Sequence, residues 1–166
     1  MTRKEAIRQT AQTDTLRNLG FTKDEAIALR RISMTLQRWH ELEAGTGDGR
    51  VSVSVERDET GKPFRRFQYA TQAGWVDRSE PIADREAGAK KRLASIVQTR
   101  NARITNDSSA DAELNIHATC KAKIAGPVQA YIQRDPRGAA LYILRSGDVP
   151  EGESPDSYYN RGVCIY

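Results

Sequence analysis

TKDEAIALRRISMTLQRW, residues 22 to 39, is the stretch on which the fold turns. Thr22 followed three residues on by Glu25 is a capping-box pattern. Ala26, Leu29, Ile32, Leu36 and Trp39 then recur at spacings of 3, 3, 4 and 3, which places them on one face of an α-helix. The pattern ends before Gly45, so one uninterrupted helix accounts for the stretch. A helix-turn-helix is the competing reading, but Arg30 and Arg31 continue the helical pattern where that motif wants a turn former.

Working outward, Thr2 and Glu5 repeat the capping box and Gly20 supplies a stop, predicting a helix over residues 3 to 18 with a thin apolar face. Beyond residue 44, Gly45-Thr46-Gly47-Asp48-Gly49-Arg50 breaks the helix. Val51, Val53 and Val55 alternate with Ser52, Ser54 and Glu56, as a half-buried strand does. A turn over residues 58 to 63 leads to a partner strand from Phe64 to Ala70. A third helix is expected from Pro81 to Gln98, capped by Ser79, with Ile82, Ala89, Leu93, Ile96 and Val97 on one face and Gly88 as its weak point. Residues 101 to 111 read as a loop, and a short helix over 111 to 124 has only the incomplete stripe Leu114, Ala118 and Ile124. Asp135-Pro136-Arg137-Gly138 carries type I turn chemistry between strands 128 to 134 and 139 to 145, and a last strand runs from Val163 to Tyr166. The sum is an α+β chain forming a single domain over residues 1–166. Its N-terminal helices, residues 1–45, precede an α+β part, residues 50–166: an antiparallel sheet of two hairpins and a C-terminal strand, with one helix between the hairpins.

The chain has 166 residues, and its 26 Lys and Arg against 22 Asp and Glu give a net charge of +4. The excess falls as +2 over residues 1 to 50, +3 over 51 to 100 and −1 thereafter, so a nucleic-acid partner would use the first hundred residues. The N-terminus runs into charges rather than an apolar leader, and no apolar run approaches a membrane span. The expected location is the cytoplasm, with no membrane partner. Cys120 and Cys164 have no zinc or disulfide spacing. His117 and Cys120 lack a second ligand pair, and the acidic loop of Asp148, Glu151, Glu153 and Asp156 does not match a calcium-loop spacing. No metal or cofactor is expected.

Binding residues follow from these placements. On a single helix Arg31 and Arg38 project opposite the apolar stripe, free to meet an anion or an acidic protein surface, although a solvated polar face is the plainer reading. Tyr131 and Tyr142 on the second hairpin, with Arg137 in its turn, combine residue types common at protein hot spots, against the plainer reading that they pack a sheet. In the nucleic-acid alternative Thr35 and Gln37 read base edges and Arg38 a phosphate, while Arg65, Arg66, Lys90 and Lys91 form a phosphate-binding stripe if they share a face. His40 beside Glu41 could serve as a base and an acid, but no third partner is in sight and a hydrogen-bonded imidazole beside Trp39 explains His40 as well. No catalytic residues are assigned, and the chain is read as a non-enzyme.

Residues 22 to 39 also resemble the helix-turn-helix of small phage repressors at Thr22, Glu25, Thr35, Leu36, Gln37, Arg38 and Trp39. More widely, LRRISMTLQRWHELE (29 to 43), AYIQRDPRGAALYILRSGDVP (130 to 150) and SYYNRG (157 to 162) resemble a group of small, mostly uncharacterised proteins of tailed bacteriophages and prophages, with a looser likeness over residues 85 to 94. The resemblance implies a phage origin and brings no catalytic residues. Against that pattern residues 101–126 look like an insertion. The expectation is a phage accessory protein that binds a host macromolecule and blunts a bacterial defence complex, CRISPR-type or another nuclease. The alternative is a DNA-binding regulator using residues 22–39.

Overall fold

The computed structural model describes residues 2–47, 50–106 and 126–165. Both capping boxes form: Thr2 and Glu5 open helix α1 (Arg3–Asn18), and Thr22 and Glu25 open helix α2 (Lys23–Ala44). Each exchanges two hydrogen bonds that satisfy otherwise orphaned N–H groups of the first turn. The stripe of α2 is buried as its spacing requires, with Ala26, Leu29, Ile32, Leu36 and Trp39 all inside. Full burial of each large member contributes about 2 kcal/mol. Helix α1 buries only Gln12 and Leu16.

Two antiparallel sheets follow, rather than one. The first is a meander of β1 (Thr46–Gly47), β2 (Val51–Arg57), β3 (Pro63–Thr71) and β4 (Gly74–Pro81). After helix α3 (Arg85–Asn106), strands β5 (Val128–Asp135), β6 (Gly138–Arg145) and β7 (Val163–Ile165) form the second. Helix α3 and the chain on either side of it separate the two hairpins, so each builds its own sheet. The largest apolar cluster joins Leu16, Phe21, Leu29, Ile32 and Leu36 to Ala89 and Leu93 of α3 and to Val128, Leu141, Ile143 and Ile165 of the second sheet. The meander docks on α2 mainly through β2. Its Val55 is buried there, while Val51, farther along the same face, is 49% exposed.

Three expectations are corrected. Residues 74 to 81 are a strand, because Trp75, Val76 and their neighbours pair with Tyr69 and Ala70 across the turn after Thr71. Ser79 therefore caps nothing and Pro81 closes an edge strand, where a missing N–H is tolerated. Asp84 caps α3 instead, accepting from the Ala87 N–H at 3.0 Å. Helix α3 also continues through residues 101 to 106, read above as loop. Thr46 and Gly47 pair with Val53 and Ser52 inside the glycine-rich turn. The expected short helix over 111 to 124, His117, Cys120, most of the expected insertion and Tyr166 lie outside the described residues.

The reason α3 runs on is a set of polar contacts that local propensity does not encode. Arg100 is fully buried. Its Nε donates to the Leu19 carbonyl at 2.8 Å and its Nη1 to the Gly126 carbonyl at 2.7 Å. Burial, reinforced by the nearby Arg103 charge and partly offset by Glu25, pushes its pKa down to about 10, so it stays charged at neutral pH. One residue on, the Asn101 side chain accepts from the Val128 N–H and donates to the Val128 carbonyl, both at 2.9 Å, as a neighbouring strand would. Arg103 donates to the Gly20 carbonyl at 2.9 Å and to Glu25, the capping residue of α2, at 2.6 Å.

Gly20 is fixed by this contact set. Its φ is +93°, and a Cβ there would lie 3.1 Å from both Arg100 Nε and Ile104 Cδ1. Gly88, by contrast, sits on the exposed side of α3 with open space around it. Glycine-to-alanine substitutions at the two positions are expected to act with opposite signs in urea denaturation. Gly20→Ala should lose about 2 kcal/mol from strain and crowding, and Gly88→Ala should gain about 0.5 to 1 kcal/mol from helix propensity.

Candidate functional site

A surface cavity of about 690 Å³ is a groove between the outer side of α2 and the ends of β6 and β7. Three features of the sequence build it. The stripe of α2 turns Arg31, Met34, Thr35 and Arg38 away from the core and into the groove. The Asp135–Gly138 turn starts β6 at Gly138 and so brings Ala139 and Ala140 to the groove. Two buried polar side chains seat β7 against the helices: Ser33 Oγ donates to the Ile165 carbonyl at 2.6 Å and Gln12 Nε2 to the Cys164 carbonyl at 3.0 Å. Neither Gln12 nor Ser33 was a sequence candidate. Their only signal was a polar residue on the buried side of a helix.

Met34 is 63% exposed and, with Ala139, Ala140, Cys164 and Ile165, gives the groove its apolar surface. Arg31 and Arg38 are exposed on its helical side and have no acidic partner among the described residues. Such an arrangement can hold an extended apolar segment flanked by carboxylates, the guanidiniums offering paired donors to each carboxylate.

The helix-turn-helix alternative is not formed. Residues 29 to 33 lie inside the single 22-residue helix, so the turn is missing. Gln37, assigned to base edges, accepts from the Ala139 N–H at 2.8 Å and donates to Glu41 at 3.1 Å, tying α2 to the start of β6. A Cβ on Gly138 would collide with this amide, which is why glycine ends the turn. The Thr35 hydroxyl donates back to the Arg31 carbonyl at 2.9 Å.

The five protein-binding candidates divide between two places. Arg31 and Arg38 line the groove, and exposed Arg137 sits two residues before Ala139, which also lines it. Tyr131 and Tyr142 face each other across β5 and β6 on the side of the sheet opposite buried Leu141 and Ile143. There Tyr142 stacks on Tyr159 at 4.3 Å between centroids, and Tyr131 lies 6.3 Å from the same ring. They pack against the segment covering that face and do not meet the arginines.

The basic stripe is not assembled. Arg65 and Arg66 alternate to opposite faces of the meander. Arg66 is bound by Asp77 at 2.6 Å and Glu56 at 3.3 Å, and Lys90 by Glu86 at 3.3 Å. Lys91 is exposed on α3.

A second polar constellation joins the meander to the rest of the chain. Trp39 Nε1 donates to Glu43 at 2.7 Å, and Arg134 of β5 bridges Glu43 to the buried Glu86, the latter at 3.4 Å. Arg57 of β2 lies 5.6 Å above the Trp39 ring, chelates Asp84 through two bonds of 2.7 and 3.1 Å and lies 3.6 Å from Glu86. Three carboxylates are thus matched by Arg57, Arg134 and Lys90. His40 Nδ1 contacts Arg134 at 3.3 Å, and because a guanidinium only donates, this nitrogen accepts. Glu41 lines the groove and holds Gln37. His40 and Glu41 therefore serve different surroundings and do not form an acid–base pair. Among the described residues no group of three or more His, Cys, Asp or Glu could hold a metal ion, and Asp148 of the acidic loop pairs with Arg145 at 3.1 Å. No described helix is long and apolar enough to cross a membrane.

No family model matches the chain, no curated protein matches it, and no solved structure matches it.

The seam makes stability depend on acid. Partial burial would raise the Glu43 carboxyl, but hydrogen bonds from Arg134 and Trp39 outweigh it and hold it below the usual range. The Arg57 hydrogen bond, helped by the Ala87 N–H, does the same for Asp84. Both carboxyls protonate more readily in the unfolded chain. Their contribution is complete above the ordinary carboxylate range, about pH 5, and is lost as pH falls through their lower folded values. Melting temperature should drop as pH falls below about 5, and the drop should be shallower in Glu43→Gln; equal slopes would show that Glu43 is not coupled to folding.

Proposed function

We propose that this chain is a phage accessory protein that acts by binding a host protein, with the groove between α2 and the β6–β7 edge as its docking surface. The observation that carries the reading is the groove itself. An apolar surface of Met34, Ala139, Ala140 and Ile165 lies beside Arg31 and Arg38, two exposed guanidiniums without acidic partners among the described residues. Charge complementarity makes the fitting partner an extended apolar segment bearing Asp or Glu. The likeness of residues 29 to 43 and 130 to 150 to tailed-phage proteins supports a phage origin and, with it, a host protein as that partner, for which a component of a defence nuclease complex is our candidate. Arg38 and the α2 side of the groove both fall within the first of those stretches.

Affinity capture from nuclease-treated bacterial lysate, run with variants in parallel, tests this reading. Arg31→Glu combined with Arg38→Glu should lower recovery of the partner at least about tenfold, as should Met34→Asp, with melting temperature unchanged. Arg92→Glu, on the exposed side of α3, should bind as the parent does. Recovery that survives the groove substitutions, or that disappears with nuclease alone, overturns the proposal.

A further inference from the structure

Arg38 also borders a second, smaller cleft on the other side of α2. Its volume is about 320 Å³, and Arg65 of β3 and Arg85 at the start of α3 line it together with Arg38. Trp39, Leu42 and Ile82 supply apolar lining. Three elements far apart in sequence therefore bring three arginine side chains to the lining of one small concavity.

The contrast with neighbouring arginines is informative. Arg57 is chelated by Asp84 and Arg66 by Asp77. Around the cleft, by contrast, Arg38 and Arg85 have no acidic partner among the described residues, and Arg65 pairs there only loosely, with Glu80 at 3.9 Å, itself about half exposed. Collecting like charges with so little compensation disfavours the empty state and favours a multiply charged anion.

We propose that this cleft binds a small phosphate monoester, the three guanidiniums taking the phosphate and the apolar lining taking the group that carries it. Planar forked donors match phosphate oxygens, and the positive charge, partly offset by Glu80, suits a dianion better than a single carboxylate. The bounded volume lies at the small end of ligand pockets. A nucleic-acid strand would need a basic track leading away from the cleft, and of the basic residues nearby Arg66 alternates to the opposite face of the meander and Lys90 is committed to Glu86.

Titration calorimetry at fixed ionic strength tests this with adenosine monophosphate, inorganic phosphate, adenosine and a short single-stranded oligonucleotide as probes. The monophosphate should bind saturably at one site and phosphate more weakly, while adenosine should not bind. Arg65→Gln and Arg85→Gln should each weaken monophosphate binding at least about tenfold. Arg92→Gln and the groove variant Met34→Asp should leave it unchanged, so this site and the protein-docking groove succeed or fail separately. Circular dichroism melts confirm that the exposed-arginine variants remain folded. The proposal is overturned if neither the monophosphate nor phosphate binds saturably or if adenosine matches the monophosphate. It is equally overturned if Arg65→Gln and Arg85→Gln bind as the parent does, or if the oligonucleotide binds at least tenfold more tightly than the monophosphate.

Discussion

The structure depends on a buried guanidinium. Arg100 is inaccessible to solvent, yet it carries a positive charge and donates to two carbonyls, Leu19 at the end of α1 and Gly126 ahead of β5. A buried charge is tolerated only when its donors find acceptors, and these two carbonyls supply them. The same side chain therefore fixes the corner between α1 and α2, the continuation of α3 and the point where the second sheet begins. Asn101 and Arg103, one and three residues on, extend the link to Val128 and to Glu25.

With that corner fixed, α2 becomes the spine on which the surfaces of interest are arranged. One face supplies Leu29, Ile32, Leu36 and Trp39 to the interior. Flanking it, Ser33 and Gln37 bind strand backbone, so the groove has a rigid wall rather than a loop. The remaining face presents Arg31, Met34 and Arg38. Arg38 stands between the groove and the tri-arginine cleft, so the outer side of α2 joins two candidate binding surfaces of different chemistry: one apolar with a cationic border, the other a compact anion site.

What the sequence makes legible is what local chemistry determines. Capping boxes at Thr2 and Thr22, the α2 stripe and the Asp135–Gly138 turn each name their own structure, and all four form. The limits of α3 were misread because the competing information is tertiary. Asn101 and Arg103 carry loop-like or neutral propensity until they meet Val128 and Glu25. β4 was missed because Pro81 and Ser79 imitate a helix start, whereas cross-strand pairing with β3 decides the matter. Among site residues, the outward placement of Arg31 and Arg38 followed from periodicity alone. The roles of Gln12, Ser33 and Gln37 did not, since they depend on strand carbonyls and amides distant in sequence. The meeting of Arg65 and Arg85 with Arg38 was hidden for the same reason, and so was the neutralisation of Arg66 and Lys90.

Hydrogen exchange followed by mass spectrometry on Arg100→Met tests the central claim most directly, because methionine keeps the apolar bulk and removes the donors. The account predicts that protection falls together in peptides covering the α1–α2 corner and the start of β5, the two regions whose carbonyls Arg100 binds. Loss of protection confined to α3 around residue 100, with the corner and β5 unchanged, would contradict it.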